Sequence, residues 1–410
     1  GWEVAPLKRF ASIQTGNTPT KTSDSNYYAS TGIPWIKPDN LGYSHSISKT
    51  SEYLTSEGAL CARIMPPNTV YVCCIGSLGK VGYSSISCAC NQQINALIFN
   101  DLMFWKYGYY LTIAQESQYL LFGNGNVLQI INSTSQGNIA CVLPPLENQH
   151  LIACYLDSVC SDIEVLISKT RSSIEEYKKL KQAVITQAVT KGVRGEREMK
   201  NSGNPWFGQI PTDWKLSRVG LHFSIILGKM LCNAPLNDTY TLEPYYCAAD
   251  VHFDGVADGE RKKMWFSPIE KDLYRVSVGD LLVVEGGAGA GGSAIVENQD
   301  SYTYIQNSIM IVRSKGNADN RYLRYLLEFL VKQGYIDVVC NKATIPHFTK
   351  DKLSCVPFCL CGEQEEIADY LDAKCAKIDG LIAKKEQLIK ELESYKKSLI
   401  YEVVTGKREV

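Results

Sequence analysis

Gln149-His150-Leu151-Ile152-Ala153-Cys154-Tyr155-Leu156-Asp157 and Gln364-Glu365-Glu366-Ile367-Ala368-Asp369-Tyr370-Leu371-Asp372 open two copies of one segment. Laid over each other at an offset of 215 positions, Gln149–Thr190 and Gln364–Thr405 need no gap. Identities recur along the overlap at Ile152/Ile367, Ala153/Ala368, Leu156/Leu371, Asp157/Asp372, Cys160/Cys375, Ile163/Ile378, Lys181/Lys396, Ile185/Ile400 and Val189/Val404. A repeat on this scale means a duplicated plan, so the rest of the chain is read as two halves.

Neither copy contains proline, and only Gly380 interrupts the second. Apolar residues recur at steps of four and three, the spacing of a coiled-coil seam on a long helix. The seam read from that spacing runs through Ile152, Leu156, Val159, Ile163 and Leu166, and through Ile367, Leu371, Ile378, Leu381 and Leu388. Ile167/Ile382 and Ile174/Ile389 widen the stripe, while Thr170, Ser173, Lys374 and Lys385 break it with polar groups. Each helix is expected to be about 60 Å long. An amphipathic helix of that length needs a partner in water. The other copy is the obvious one.

Composition bounds the function. The chain has 410 residues, enough for two domains plus the helices. It carries 42 basic and 43 acidic side chains, a formal net charge of -1, so any face for nucleic acid must be local. Fifteen cysteines are present, but Cys73-Cys74, Cys88-x-Cys90 and Cys359-x-Cys361 lack the two-residue spacer of zinc knuckles. An odd count without a signal peptide points to reduced thiols in a cytoplasm. Such thiols are read as small buried hydrophobes rather than ligands. No apolar run approaches transmembrane length.

The segments ahead of the helices share an order of features. Each opens on a Trp beside a short strand (Trp2, Trp214) and has an apolar run ending in glycine (Ile13–Gly16, Ile226–Gly228). A Pro-led segment follows, Pro34–Asn40 and Pro244–Asp250, then a hydrophobic strand, Val70–Val72 and Leu281–Val284, and a Gly-rich loop. The β-branched and aromatic content with frequent turns predicts α+β domains on a mostly antiparallel sheet. The expected architecture is a globular domain over residues 1–145 and a long helix with linker over 146–200. A second globular domain over 201–357 and a second long helix over 358–410 follow, the two helices pairing as an antiparallel coiled coil. Further helices are expected near Leu102–Leu121 and Arg321–Gly334, with Gly192–Pro211 as the link between halves.

Val283-Val284-Glu285-Gly286-Gly287-Ala288-Gly289-Ala290-Gly291-Gly292 imitates a dinucleotide fingerprint. That mechanism needs a helix N-terminus after the loop to face the pyrophosphate. Ser293-Ala294-Ile295-Val296 instead reads as a strand, so a β-hairpin is expected. No Gly-Lys-Ser/Thr follows at P-loop spacing, and neither His-Glu-x-x-His nor Gly-x-Ser-x-Gly occurs. No catalytic residue, cofactor or metal is therefore expected.

Leu143-Pro144-Pro145-Leu146-Glu147-Asn148-Gln149 with Ile152-Ala153 and Tyr155-Leu156-Asp157 is echoed by Gly362-Glu363-Gln364 with Ile367-Ala368 and Tyr370-Leu371-Asp372. Gly76…Gly79-Lys80-Val81-Gly82…Asn91-Gln92-Gln93 adds a half-domain pattern. In these motifs, and in its domain–helix–domain–helix order over essentially the whole length, the chain resembles the specificity subunit of a type I restriction-modification system. It departs in having Val356-Pro357-Phe358 where the first half has a double proline, and in the glycine-richer loop Gly286–Gly292. The resemblance implies two target recognition domains, each reading one half of a split, asymmetric DNA sequence, with the paired helices as spacer. It also implies a non-catalytic subunit that binds double-stranded DNA, two methyltransferase (modification) subunits and a motor-nuclease (restriction) subunit.

Phosphate contacts come from Lys, Arg and backbone amides, and base contacts from Arg, Lys, Asn and Gln. The DNA-contact candidates are Lys37 and Asn40 in the Pro34 segment and Ser77 and Lys80 in the first Gly-rich loop. In the second half they are Arg261, Lys262 and Lys263, its only tight basic cluster. Each also fits a plainer reading as a solvated charge or a soluble hairpin tip. The rival function is a coiled-coil protein–protein adaptor without DNA specificity. It predicts no sequence-dependent DNA binding even with partners present.

Overall fold

The computed structural model describes residues 2–19, 26–42, 46–123, 129–298, 302–340 and 346–410. The chain divides into two compact units, one made of Gly1–Ser173 with Lys384–Val410 and one of Ile174–Ala383. The two long helices, Leu146–Lys191 and Gln364–Val404, each contribute to both units.

In the first unit β1 (Ala11–Thr15), β2 (Ile33–Ile36), β3 (Thr69–Cys73), β4 (Val81–Ser84), β5 (Cys88–Cys90) and β6 (Ile94–Phe99) precede the helix α1 (Trp105–Ala114). An antiparallel sheet of order β1-β6-β3-β4 sets Leu97 opposite both Ile13 and Val70. The central strand β3 is buried at every residue, as its run of Val, Tyr and Cys requires. Beside it β2 and β5 pair in parallel, Trp35 opposite Ala89.

The second unit repeats this plan with β7 (Phe223–Leu227), β8 (Thr241–Tyr246), β9 (Lys262–Phe266), β10 (Leu281–Val284), β11 (Ser293–Ile295), β12 (Tyr304–Ile305), β13 (Ile309–Ser314) and the helix α2 (Asn320–Lys332). The sheet order is β7-β13-β10-β11, and β8 pairs in parallel with β12 as β2 does with β5. One close approach recurs: a Cβ on Gly16 would meet the Cys90 carbonyl oxygen at 2.2 Å, and one on Gly228 the Gln306 carbonyl oxygen at 2.2 Å. Only glycine lets the backbone cross there.

Within the first unit, Ile152, Leu156 and Cys160 of the first long helix share a core with Leu399, Ile400, Val403 and Val404 of the second. Further along, Glu164 takes Lys396 and Arg171 takes Glu393 at 2.9 Å. Residue numbers fall on one helix as they rise on the other, so the pairing is antiparallel. In the second unit, Ile185, Ala188 and Val189 share a core with Ile367, Leu371 and Cys375, and Lys181 meets Asp379 at 2.6 Å. Every one of these second-unit partners lies 215 positions from its first-unit counterpart.

The seam itself departs from the expected one. Leu166 is 45% exposed and Leu388 39% exposed, and Leu381 is only half-buried. The first helix instead buries Cys160, Ile163, Ile167, Thr170 and Ile174, a three–four alternation that keeps Ile163 but moves its two neighbouring seam positions by one residue. Cys160 takes the place assigned to Val159, which is half-buried, and Ile167 that assigned to Leu166. A buried thiol is as good a seam residue as a small aliphatic one. Thr170 is accommodated because its hydroxyl donates to the Leu166 carbonyl at 2.8 Å.

Two further expectations change. The helix expected near Leu102–Leu121 is two helices, α1 and Glu116–Phe122, broken at Gln115. The linker carries a hairpin, Met199–Asn201 with Gln209–Pro211, whose Ile210 enters the second core together with Phe207. Most of the cysteines are buried, and burial pushes the Cys160 and Cys375 thiols up to about 11.

Candidate nucleic-acid interface

In the first unit, β2 leads into a single turn of 3-10 helix, Pro38–Asn40. Lys37 sits at its N-cap, where its backbone N–H donates to the Asn40 side-chain oxygen at 2.9 Å. The Lys37 ammonium is 2.9 Å from the Glu52 carboxylate and 4.8 Å from the Trp35 ring centroid. Both candidates are thus engaged inside the protein: Asn40 closes the turn and Lys37 is a paired, half-buried cation. Ser77 and Lys80 lie exposed in the tight connection between β3 and β4, where Gly76 and Gly79 take positive φ values of 82° and 80°.

The second unit builds the same turn, Ala248–Asp250, after β8. Asp250 replaces Asn40, its carboxylate accepting from the Cys247 N–H at 2.8 Å. Arg261 lies 4.7 Å over the Tyr246 ring with Asp250 at 3.9 Å, and it donates to the Ala257 carbonyl. Each unit therefore holds a cation over an aromatic ring on the strand entering this turn, but recruits it from a different part of the chain. Lys262 and Lys263 are exposed on β9. The Gly-rich loop Gly286–Gly292 joins antiparallel β10 and β11, with Leu282 opposite Ala294, so no helix N-terminus stands behind it. Among the described residues no group of three or more His, Cys, Asp or Glu is placed to hold a metal ion, and no helix is long and apolar enough to cross a membrane.

The sequence reading missed the junctions that orient each globular part on its helix. Tyr110 donates to Asp157 at 2.8 Å, and Lys106 bonds the other oxygen of that carboxylate. At the same offset, Tyr325 donates to Asp372 at 2.8 Å and Arg321 to its second oxygen at 2.8 Å. Burial, and then the neighbouring carboxylate, push both tyrosine hydroxyls well above their ordinary range, so they stay protonated donors. Gln149 accepts from the Phe104 N–H at 2.7 Å and Gln364 from the Asp319 N–H at 3.0 Å, which explains the two identical glutamines opening the repeat. The signal was available: Tyr107/Tyr322 and Tyr110/Tyr325 extend the same gapless offset into α1 and α2.

Comparison with known proteins agrees with this duplicated plan. The family described as the type I restriction modification DNA specificity domain matches residues 1–176. A Methanocaldococcus jannaschii protein with the provisional name type I restriction enzyme MjaX specificity subunit is 29% identical over 287 residues, 68% of this chain and 61% of that relative. The chain thus spans less than two thirds of that relative's length. The type I restriction enzyme MjaVIII specificity subunit of the same archaeon is 26% identical over 438 residues, covering 99% of this chain and 92% of the relative. A solved structure reported for the complex assembly and conformational transition of a type I R-M system shares the fold, with a TM-score of 0.74 and 16% identity over 98% of this chain and 97% of that one.

Proposed function

We propose, for a chain that belongs to the specificity subunits of type I restriction-modification systems, that it is the non-catalytic subunit reading a bipartite, asymmetric DNA target. Each globular part, residues 1–145 and 201–357, acts as one target recognition domain, and the long helices act as the spacer that fixes the gap between half-sites. The observation that carries this reading is the contrast between constant junctions and divergent loops. Asp157 and Asp372 hold the two heads by one arrangement. The turns those heads present differ, Lys37 and Asn40 in one and Cys247 and Asp250 in the other. Two heads mounted alike but tipped differently suit an asymmetric target, as dimer spacing suits a palindromic one.

Phosphate contacts are assigned to Lys80, Lys262 and Lys263, with Ser77 beside Lys80 and Lys37, Asn40 and Arg261 shaping the turns. The partners proposed are double-stranded DNA, two methyltransferase subunits and a restriction subunit, in the cytoplasm. With a net charge of -1, the chain alone should hold DNA weakly and depend on its partners for affinity. The test is methylation mapping of DNA from cells co-expressing the chain with its methyltransferase. A split motif with a fixed gap is expected. An assembled pair that leaves no sequence-specific methylation would sink the reading and favour the adaptor.

A further inference from the structure

The two heads differ in sequence in the segment that leaves the sheet after Gly16 and Gly228. In the first head it continues as Asn17-Thr18-Pro19, all polar or proline. In the second it continues as Lys229-Met230-Leu231-Cys232-Asn233-Ala234-Pro235-Leu236, with Met230 76%, Leu231 51% and Leu236 78% exposed. Exposed apolar residues scattered singly mean little, but a continuous patch marks a contact surface.

This segment is fixed rather than loose. Lys229 is buried, bonded to Glu270, and lies 4.9 Å and 5.4 Å from the Tyr240 and Phe266 ring centroids. The base of the excursion is thereby tied to its own far end at Tyr240. Further out, the Trp265 N–H donates to the Cys232 carbonyl at 3.0 Å, laying the segment along the free edge of β9. On β9 the buried face is Met264 and Phe266, so Lys263 and Trp265 share the outward face. Leu242 of β8 lies directly opposite Trp265 and is exposed. Leu242 and Trp265 thus share one face with Lys263, and the segment of Met230 and Leu231 runs along the strand edge beside them. An apolar surface with a cationic border matches a base edge beside a phosphate, because the only apolar group in the major groove is the thymine methyl.

We propose that Met230 and Leu231 are specificity-determining residues of the second head, selecting thymine by packing on its C5-methyl group. The inference rests on the DNA-reading function above. It predicts that the half-site read by the second head contains thymine on one strand, and that the first head, with its polar segment, does not use this mode.

The test uses the full chain assembled with its methyltransferase subunits, once mapping has given both half-sites. Binding is measured on target DNA in which each thymine is replaced in turn by uracil, which lacks only the methyl. Replacement within one half-site should weaken binding about fourfold, the worth of one buried methyl. The Met230→Ser/Leu231→Ser variant should bind thymine and uracil targets equally while keeping the other half-site's preference. A half-site without thymine, uracil substitutions that change nothing, or a variant that keeps the full thymine preference would each overturn the inference and leave split-site reading standing. Absence of any sequence-specific methylation would bring down both.

Discussion

Tyr325 donates a 2.8 Å hydrogen bond to Asp372, fastening α2 to the opening turns of the second long helix. The tyrosine is buried, and Arg321 takes the other oxygen of the same carboxylate. Asp372→Ala therefore strands a buried hydroxyl and removes one partner of a guanidinium. The expected cost is about 2–3 kcal/mol, against about 1 kcal/mol for Tyr325→Phe, which removes the donor cleanly. Urea unfolding should show the double variant costing less than the sum of the singles. An Asp372→Ala variant as stable as the parent would mean that this junction is not held by the carboxylate.

The displaced seam can be tested at adjacent residues. Ile167 is 3% exposed and Leu166 45% exposed. Ile167→Ala should destabilise by about 2–4 kcal/mol and Leu166→Ala by less than about 0.5 kcal/mol. The reverse order in denaturation midpoints would restore the seam first expected from the spacing.

Lys396 is buried in the helix pair and bonded to Glu164. Lys396→Glu sets two carboxylates together and should cost roughly 2 kcal/mol, with Glu164 still partly in water. Adding Glu164→Lys should return most of that loss. If the exchanged pair is no more stable than Lys396→Glu alone, the bond does not set the alignment of the helices.

Lys262 and Lys263 are exposed, whereas Lys37 is held by Glu52. In the complex with methyltransferase subunits, Lys262→Ala and Lys263→Ala should each lower the slope of log affinity against log salt by about one and weaken binding across sequences. Lys37→Ala should change the slope less. Unchanged slopes for both β9 lysines would place the phosphate contacts elsewhere.

Much of the architecture was legible because a duplication supplies its own control: a pattern seen twice at one offset is a pattern under constraint. The helices, the matching order of strands in the two halves and the hairpin at Gly286–Gly292 all follow from that comparison. The seam was misplaced at two positions because Val159 and Leu166 fit the four–three spacing as well as Cys160 and Ile167 do, and spacing alone does not say which apolar residue of an adjacent pair faces the partner. The candidate interface was less legible. Whether Lys37 is free or paired depends on Glu52, fifteen positions away on a neighbouring loop, and no local pattern announces that bond. Arg261 likewise reads as one of three basic residues, yet it alone lies over Tyr246. Asp157 and Asp372 were noted as identities. Their role stayed hidden because their tyrosine partners lie ahead of the segment first matched.

The two units are not equivalent in the order of synthesis. Ile174–Ala383 is one unbroken run, whereas the other unit joins Gly1–Ser173 to Lys384–Val410. Ile152, Leu156 and Cys160 are covered by residues from Leu399 onward. On a ribosome moving at about 5–20 residues per second, that apolar stripe emerges on the order of ten to fifty seconds before its cover. The second-made unit can thus close first, and a nascent chain halted before Leu399 would display a long sticky helix face, open to chaperones or to the same face of another nascent copy.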